Sequence, residues 1–332
     1  MQIDRTWLRI LVLAVLLAGA WRVRAWNATG HEVVAEIAWK DLKPGVRDKI
    51  SAMLMVHPHF KQYLVTSDDD AQSPEYAAHV FMRAAIWPDL VRSGRGNGDK
   101  DYHHSAWHYI DYPIIAEGTD KSTLELPSLG EKLETGKQPE NVLQALEWSL
   151  ERLKNPDAPA AEKAVALAWL VHLVGDVHQP LHAVSRFSTA YPKGDRGGNL
   201  FMVKYHGNVT NLHSFWDGVL GGYMSVKLVD AVAAKAGELH PRTEFEKALA
   251  VTKFGDWAGE SFALARDVVY DGGKLKGVTR EVNVADKGMT TPDLPEKYDE
   301  TARDTARQRV ALAGYRLADL LNRIFEEHGA GE

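Results

Sequence analysis

One run of residues limits this chain more than any other: Ala164-Val-Ala-Leu-Ala-Trp-Leu-Val-His172-Leu-Val-Gly-Asp176-Val177. It is apolar on nearly every face of a helix, and a helix of that kind belongs in an interior. Only His172 and Asp176 interrupt it. A helix advances about 100° per residue, so Asp176 returns to within roughly 40° of His172, one turn along the same face. An imidazole and a carboxylate therefore meet inside the core, where burial without a partner is costly. The helix is expected to stop at Gln179, because Pro180 lacks an N–H and pushes its predecessor out of the α region; His182 then follows on a turn. Further on, Asn211-Leu-His213-Ser-Phe-Trp-Asp217 repeats the pairing, with Asn211 as the cap and His and Asp again four apart. Two His-x-x-x-Asp pairs and a further histidine make a metal-site composition.

The chain has 332 residues, 45% of them apolar, enough for a large core. Residues 1–25 read as a secretory signal: Arg5 and Arg9, the apolar run Leu11–Ala20, then Val23-Arg24-Ala25 with small residues where a peptidase needs them. The run is short for a bilayer span, so cleavage between Ala25 and Trp26 leaves a mature chain with no membrane anchor, secreted or periplasmic. That loss of four arginines and one aspartate moves the formal net charge from −6 to about −9. An acidic chain is not a DNA-coating surface. It still acts on phosphodiesters where bound divalent ions supply positive charge locally. With no cysteine, the chain has neither disulfides nor thiolate ligands, so any metal is held by His, Asp, Glu or backbone groups.

In chain order, Thr29 and Glu32 form a capping-box pattern opening a helix, with His31 in its first turn. Pro44-Gly45 breaks that helix, and a second amphipathic segment runs to Met55. His57-Pro-His59 reads as a surface loop. Pro74 opens a helix that Trp87-Pro88 is expected to end, leaving Asp89 and Arg92 on a short turn. A glycine-rich loop follows, then an extended Ser105–Pro113 with His108 and Ile110 on one side and Tyr109 and Asp111 on the other. Residues 116–137 are surface loop, 140–153 a helix, and Leu200–Val209 the only hairpin. The last third is helical over 225–238, 242–270 and 296–327, interrupted by a loop over 279–295. The fold class is mainly α: a single multi-helix domain, residues 26–332, with one short β-hairpin. Bland readings stand beside the sharp ones. His172 with Asp176 also makes a structural ion pair, Tyr109 core packing, and Arg92 a surface pair. His178 points roughly 200° away from Asp176 and reads as a helix-end residue. His103, His104 and His206 read as surface, and His79 as packing.

Taken together, Trp26 at the expected cleavage point, His31, Trp87-Pro-Asp89, Trp107-His108-Tyr-Ile-Asp111, His172-Leu-Val-Gly-Asp176-Val-His-Gln-Pro-Leu-His182, Asp195-Arg-Gly-Gly-Asn199 and Asn211-Leu-His213-Ser-Phe-Trp-Asp217 resemble the S1/P1 nuclease family. Its members are secreted zinc enzymes that cut single-stranded DNA and RNA to 5′-nucleotides and often remove 3′-phosphates. The resemblance implies the fold shared with zinc phospholipase C and a cluster of three zinc ions. One ion falls on Asp89, His108, His172 and Asp176. A second shares Asp176 and adds His31 with the amino nitrogen and carbonyl oxygen of Trp26. The third falls on His182, His213 and Asp217. It further implies in-line attack by a zinc-bridging hydroxide, with Arg92 neutralising the phosphate and Asn199 donating a hydrogen bond. Tyr109 stacks on a base, and Asp111 accepts from a base edge. Expected substrates are single-stranded DNA, RNA and 3′-nucleotides, with no stable protein partner. The absence of cysteine departs from the disulfide-bearing fungal and plant members. Two alternatives remain. Zinc-dependent phospholipase C has a glutamate where this chain has Asp217 and lacks the Tyr109–Asp111 clamp. A non-catalytic exported zinc-binding protein has no need of Arg92.

Overall fold

A computed structural model describes residues 26–66, 70–92, 101–222 and 224–327. The expected leader, residues 1–25, and the glycine-rich loop, 93–100, lie outside the described residues. In chain order the helices are α1 (Ala28–Asp41), α2 (Pro44–Met55), α3 (Tyr76–Arg92), α4 (Val142–Lys154), α5 (Ala160–His178), α6 (Leu212–Asp217), α7 (Val226–Leu239), α8 (Glu246–Leu249), α9 (Phe254–Leu264), α10 (Arg280–Ala285) and α11 (Tyr298–Glu327). The strands are β1 (Pro113–Ile115), β2 (Ser185–Phe187), β3 (Phe201–Tyr205), β4 (Asn208–Asn211) and β5 (Val278–Thr279). The architecture is mainly α.

Helix α5 is the axis of the molecule. It ends at the Gln179 cap, and every residue from Ala164 to His178 is buried. Helices α1, α2, α3, α4, α9 and α11 pack around it. Leu167, Leu170 and Leu173 are wholly buried, and each such leucine contributes about 1.5–3 kcal/mol. A second apolar core gathers Phe201, Val203, Leu212, Trp216, Tyr270 and Tyr298 beneath the hairpin.

Five local expectations change. Helix α1 is capped by Asn27, whose side chain accepts from Gly30 N, rather than by a Thr29 box. Thr29 lies inside the helix, and its hydroxyl donates to Gly222 O (2.6 Å), so a tertiary bond takes the side chain that local spacing assigned to the cap. Pro88 does not end α3, which continues to Arg92 with the proline inside. An internal proline disturbs the hydrogen bonding of the preceding turn, and Ala85 O in that turn accepts from His172 Nδ1 (2.7 Å). Ser105–His108 is a 3-10 turn, not extended chain, and it buries both Trp107 and His108. His57 is buried at 3% exposure and packs edge-on to Trp87 at 4.5 Å between ring centroids, so the His-Pro-His loop is tucked in. The 279–295 segment carries α10, capped by the Thr279 side chain.

The expected hairpin is β3–β4, in register from Met202–Asn211 to Tyr205–Asn208. His206 and Gly207 turn it at φ 49° and 75°, the left-handed pair of a type I′ turn. To this the structure adds β5 beside β3 and a parallel β1–β2 pair. Strands of two or three residues are too short to show an alternation in sequence.

Behind α5 lies a buried polar network. Arg309 and Arg316 project from one face of α11, seven residues apart. Arg309 donates to His178 O (3.2 Å) and to Glu260 (3.0 Å), and Arg316 to His178 Nε2 (2.9 Å) and to Glu260 (2.7 Å). Ser261 Oγ donates to Val177 O (2.6 Å), so the last carbonyls of α5 have donors and a positive charge close by. His178 thus faces away from Asp176, as its spacing indicates. Glu260→Gln leaves two buried guanidiniums without their counter-charge, an expected loss of about 3 kcal/mol. Such a loss lowers the melting temperature by roughly 6–12 °C for a protein of this size. A thermal melt that shifts by less than about 2 °C would show that Glu260 does not neutralise them.

Candidate metal centre

Six separate pieces of the fold converge at the inner end of α5. The helix itself supplies His172 and Asp176. Asp89 and Arg92 come from α3, His31 from α1, His108 from the 3-10 turn, His182 from the Pro180–Ala183 turn, and His213 and Asp217 from α6. The turns are drawn together by Ile110 N donating to His182 O (2.8 Å), next to the β1–β2 pairing.

Asp176 is the hub. Its Oδ2 lies 3.0 Å from His108 Nδ1 and 3.1 Å from His172 Nε2, and its Oδ1 lies 3.4 Å from His31 Nε2 and 3.5 Å from His182 Nδ1. His31 and His172 stack at 3.9 Å between centroids. Three sets of donor atoms each fall within 4.8 Å of one another: His31, His172 and Asp176; Asp89, His108 and His172; His182, His213 and Asp217. The third contains His213 and Asp217, which spacing pairs, and adds His182. In the other two, His172 stands between the carboxylates of Asp89 and Asp176. Trp26 is fully buried, and Asn27 N donates to Asp217 O (3.2 Å).

Ring orientation follows from backbone carbonyls. His172 Nδ1 donates to Ala85 O, His182 Nδ1 to His108 O and His213 Nδ1 to Gly197 O, each at 2.7 Å. A carbonyl only accepts, so Nδ1 carries the proton and Nε2 keeps a lone pair. Metal-binding histidines are oriented in this way. Burial pushes His108 down to about 4 and His213 down to about 3. Burial also works against the Asp176 carboxylate, but the surrounding imidazoles outweigh it and hold the carboxyl well below its usual range. For Asp217, with His213 Nε2 3.4 Å away, burial wins: it drives the pKa far up, against the hydrogen bond from Gln179.

The leftover bonding capacity of these residues is what a cation would use. His31 Nε2, Asp89 Oδ1, His108 Nε2, Asp176 Oδ1, His182 Nε2 and His213 Nε2 are buried with no hydrogen-bond partner among the described residues. Buried polar atoms are nearly always satisfied. So many orphans in one place, all nitrogen or carboxylate oxygen, fit zinc.

Supporting residues escaped the sequence reading. Gln179 Nε2 donates to Asp217 Oδ1 (2.7 Å) and orients it. Asp195 is wholly buried; it accepts from Arg186 N, Gly198 N and the Tyr270 hydroxyl, and so holds the loop whose Gly197 carbonyl orients His213. Gly197 has φ 59°, and a Cβ there would sit 2.4 Å from Leu181 O; the Gly197-Gly198 pair was the available signal. At Gly175 a Cβ would lie 2.7 Å from His31 Nδ1. Gly175→Ala is therefore expected to push His31 off Asp176 and weaken zinc binding at the His31, His172 and Asp176 donors by about 10–100-fold. Unchanged zinc affinity in a competitive chelator titration would contradict the close approach.

The centre opens into a cavity of about 410 Å³ bordered by Arg92, Tyr109, Asp111, Asn199 and Arg280. Arg92 Nη1 lies 3.6 Å from Asp89 Oδ1. Tyr109 is 39% exposed, and burial raises Asp111 to about 6. Asn199 donates one amide N–H to Arg196 O (2.7 Å), which leaves its second N–H, and its Oδ1 has no partner among the described residues.

The sequence pattern of the S1/P1 Nuclease family matches residues 26–326. Nuclease P1 of Penicillium citrinum is 29% identical over 327 residues, covering 92% of this chain and 98% of its own. Nuclease S1 of Aspergillus oryzae is 26% identical, covering 94% and 96%. Endonuclease 2 of Arabidopsis thaliana is 25% identical, covering 95% and 96%. With a match across nearly its whole length and donor sets converging as described, the chain belongs to the S1/P1 nuclease family.

Proposed function

We propose that this chain, from residue 26 onward, is one catalytic domain: an exported zinc-dependent phosphodiesterase that hydrolyses single-stranded DNA and RNA to 5′-nucleotides and removes 3′-phosphates. The observation that carries it is the cluster of unsatisfied imidazole and carboxylate atoms at the floor of a cleft with cations at its rim. Three zinc ions would be held by Asp89, His108, His172 and Asp176; by Asp176, His31 and the Trp26 terminus; and by His182, His213 and Asp217. Bound there, zinc supplies Lewis acidity, lowering the pKa of a water and neutralising phosphoryl charge.

The chain's own residues do the rest. Arg92, anchored at Asp89, meets the equatorial phosphate oxygens. Tyr109 presents a ring to an unpaired base, and Asp111 accepts from the base edge once it has lost its proton near pH 6. Asn199 donates its remaining amide N–H to a substrate oxygen. A paired base has no free face, so a duplex is a poor substrate. Among the described residues no helix is long and apolar enough to cross a membrane.

The test compares heat-denatured DNA, native DNA and phosphatidylcholine, with elemental analysis of the same preparation. Denatured DNA is expected to be cut at least about 100-fold faster than native DNA, because each stacked base contributes about 1–3 kcal/mol. Lipid hydrolysis with inert DNA would make the protein a phospholipase. Bound zinc with no hydrolysis at all would make it a metal carrier.

A further inference from the structure

A second cavity, of about 540 Å³, adjoins the first and takes no part in the chemistry above. Its walls are Tyr102, His104, Trp107, Trp148 and Trp169. Ser105, at the start of the 3-10 turn that carries His108, lines both cavities. The turn therefore divides them: His108 faces the metal centre, and Trp107 forms part of the other wall.

The two cavities differ in charge. Arg92, Lys193, Arg196 and Arg280 line the first. No lysine or arginine lines the second among the described residues, and its acidic groups are Asp101 and Glu162. A phosphate is therefore disfavoured there, whereas a planar neutral group with amine donors is suited. The rings are already assembled: His104 stacks on Trp107 at 3.9 Å, and Trp107 meets Trp169 at 4.8 Å and Trp148 at 5.0 Å. One donor in this wall is unused. Trp107 Nε1 donates to Pro139 O (3.0 Å), but Trp169 Nε1, on a residue 1% exposed, has no acceptor among the described residues. A buried indole N–H normally finds a partner, and a nucleobase offers ring nitrogens and carbonyl oxygens as acceptors.

We infer that the second cavity is a base-binding subsite, which takes one unpaired nucleobase of a strand whose phosphates lie in the cationic cleft across Ser105. The inference rests on the proposed function and adds a contact one or more nucleotides from the bond that is cut. It makes KM, rather than kcat, depend on strand length, because the stacking is made equally in the ground state and the transition state.

Adenosine, which has no phosphate, is the probe, titrated into the zinc-loaded chain and followed by tryptophan fluorescence. A Tyr109→Ala background removes the ring at the cleft, so quenching reports this cavity. Trp148→Leu, at a half-buried position, is expected to weaken adenosine about tenfold and to raise KM for a hexanucleotide by a similar factor. Trp169→Phe keeps a ring and deletes the N–H, and is expected to weaken adenosine about threefold. Equal quenching in all three proteins, with KM unchanged, overturns the subsite. A protein that binds adenosine in this way but cuts no nucleic acid keeps the subsite and sinks the hydrolase reading. One that cuts single strands with adenosine binding untouched by either variant loses the subsite alone.

Discussion

Asp176→Asn is expected to strip two of the three proposed zinc ions from the protein and to slow hydrolysis of single-stranded DNA by at least about 1000-fold. The substitution preserves size and helix packing but removes the negative charge that lies within 3.5 Å of His31, His108, His172 and His182. It also replaces one acceptor oxygen with an NH₂ donor, so the amide faces imidazole atoms on both sides of α5 with half its former accepting capacity. The fold should survive, because α5 is held by its apolar faces. Elemental analysis alongside circular dichroism checks this. Asp217→Asn is the control, expected to release one ion, since Asp217 Oδ2 lies near one imidazole, His213 Nε2 at 3.4 Å, where Asp176 faces four. Loss of only one ion from the Asp176 variant would show that the hub carboxylate is not shared.

Preparations that retain any residue before Trp26 should bind one zinc fewer and hydrolyse at least about 100-fold more slowly than protein starting at Trp26. An amine at the chain start has a lone pair free to bind a cation, whereas in a peptide bond that pair is delocalised into the carbonyl. Burial sharpens the effect: Trp26 has no exposed surface, and a Cβ at Gly30 would lie 2.7 Å from Trp26 Cβ, so the first turn of α1 is closed down on it. Matched preparations beginning at Met1 and at Trp26, compared for metal content and rate, decide the matter. Equal zinc and equal rates would remove the chain start from the centre.

Much of the centre was legible because helical period relates residues within one element. His172 with Asp176 and His213 with Asp217 each lie one turn apart, and Pro180 ends α5 where it should, placing His182 on the following turn. Period also separated His178 from the cluster. Local rules failed where a distant contact outweighed them. Thr29 bonds Gly222 rather than capping α1. Pro88 stays inside α3. The His57 loop packs on Trp87. A lost cap costs about 1 kcal/mol and an internal proline about 3 kcal/mol, and packing across the whole fold overrides both. Gln179 and Asp195 gave no period or spacing to read, since each acts through a partner 38 or 75 residues away.

By itself the amino-acid order settled the chemistry on offer: imidazoles and carboxylates without thiols, two of the pairs pre-aligned on helices, and a core helix too apolar to lie anywhere but inside. Tertiary structure alone decided that these groups meet, how each ring is turned, and that an aromatic cavity adjoins the cationic one. The reason is geometric. Dihedral preferences propagate direction reliably along a single helix, but the carbonyls that orient His172 and His182 belong to residues 87 and 74 positions away. Their placement depends on how whole helices pack against α5, which no local pattern encodes.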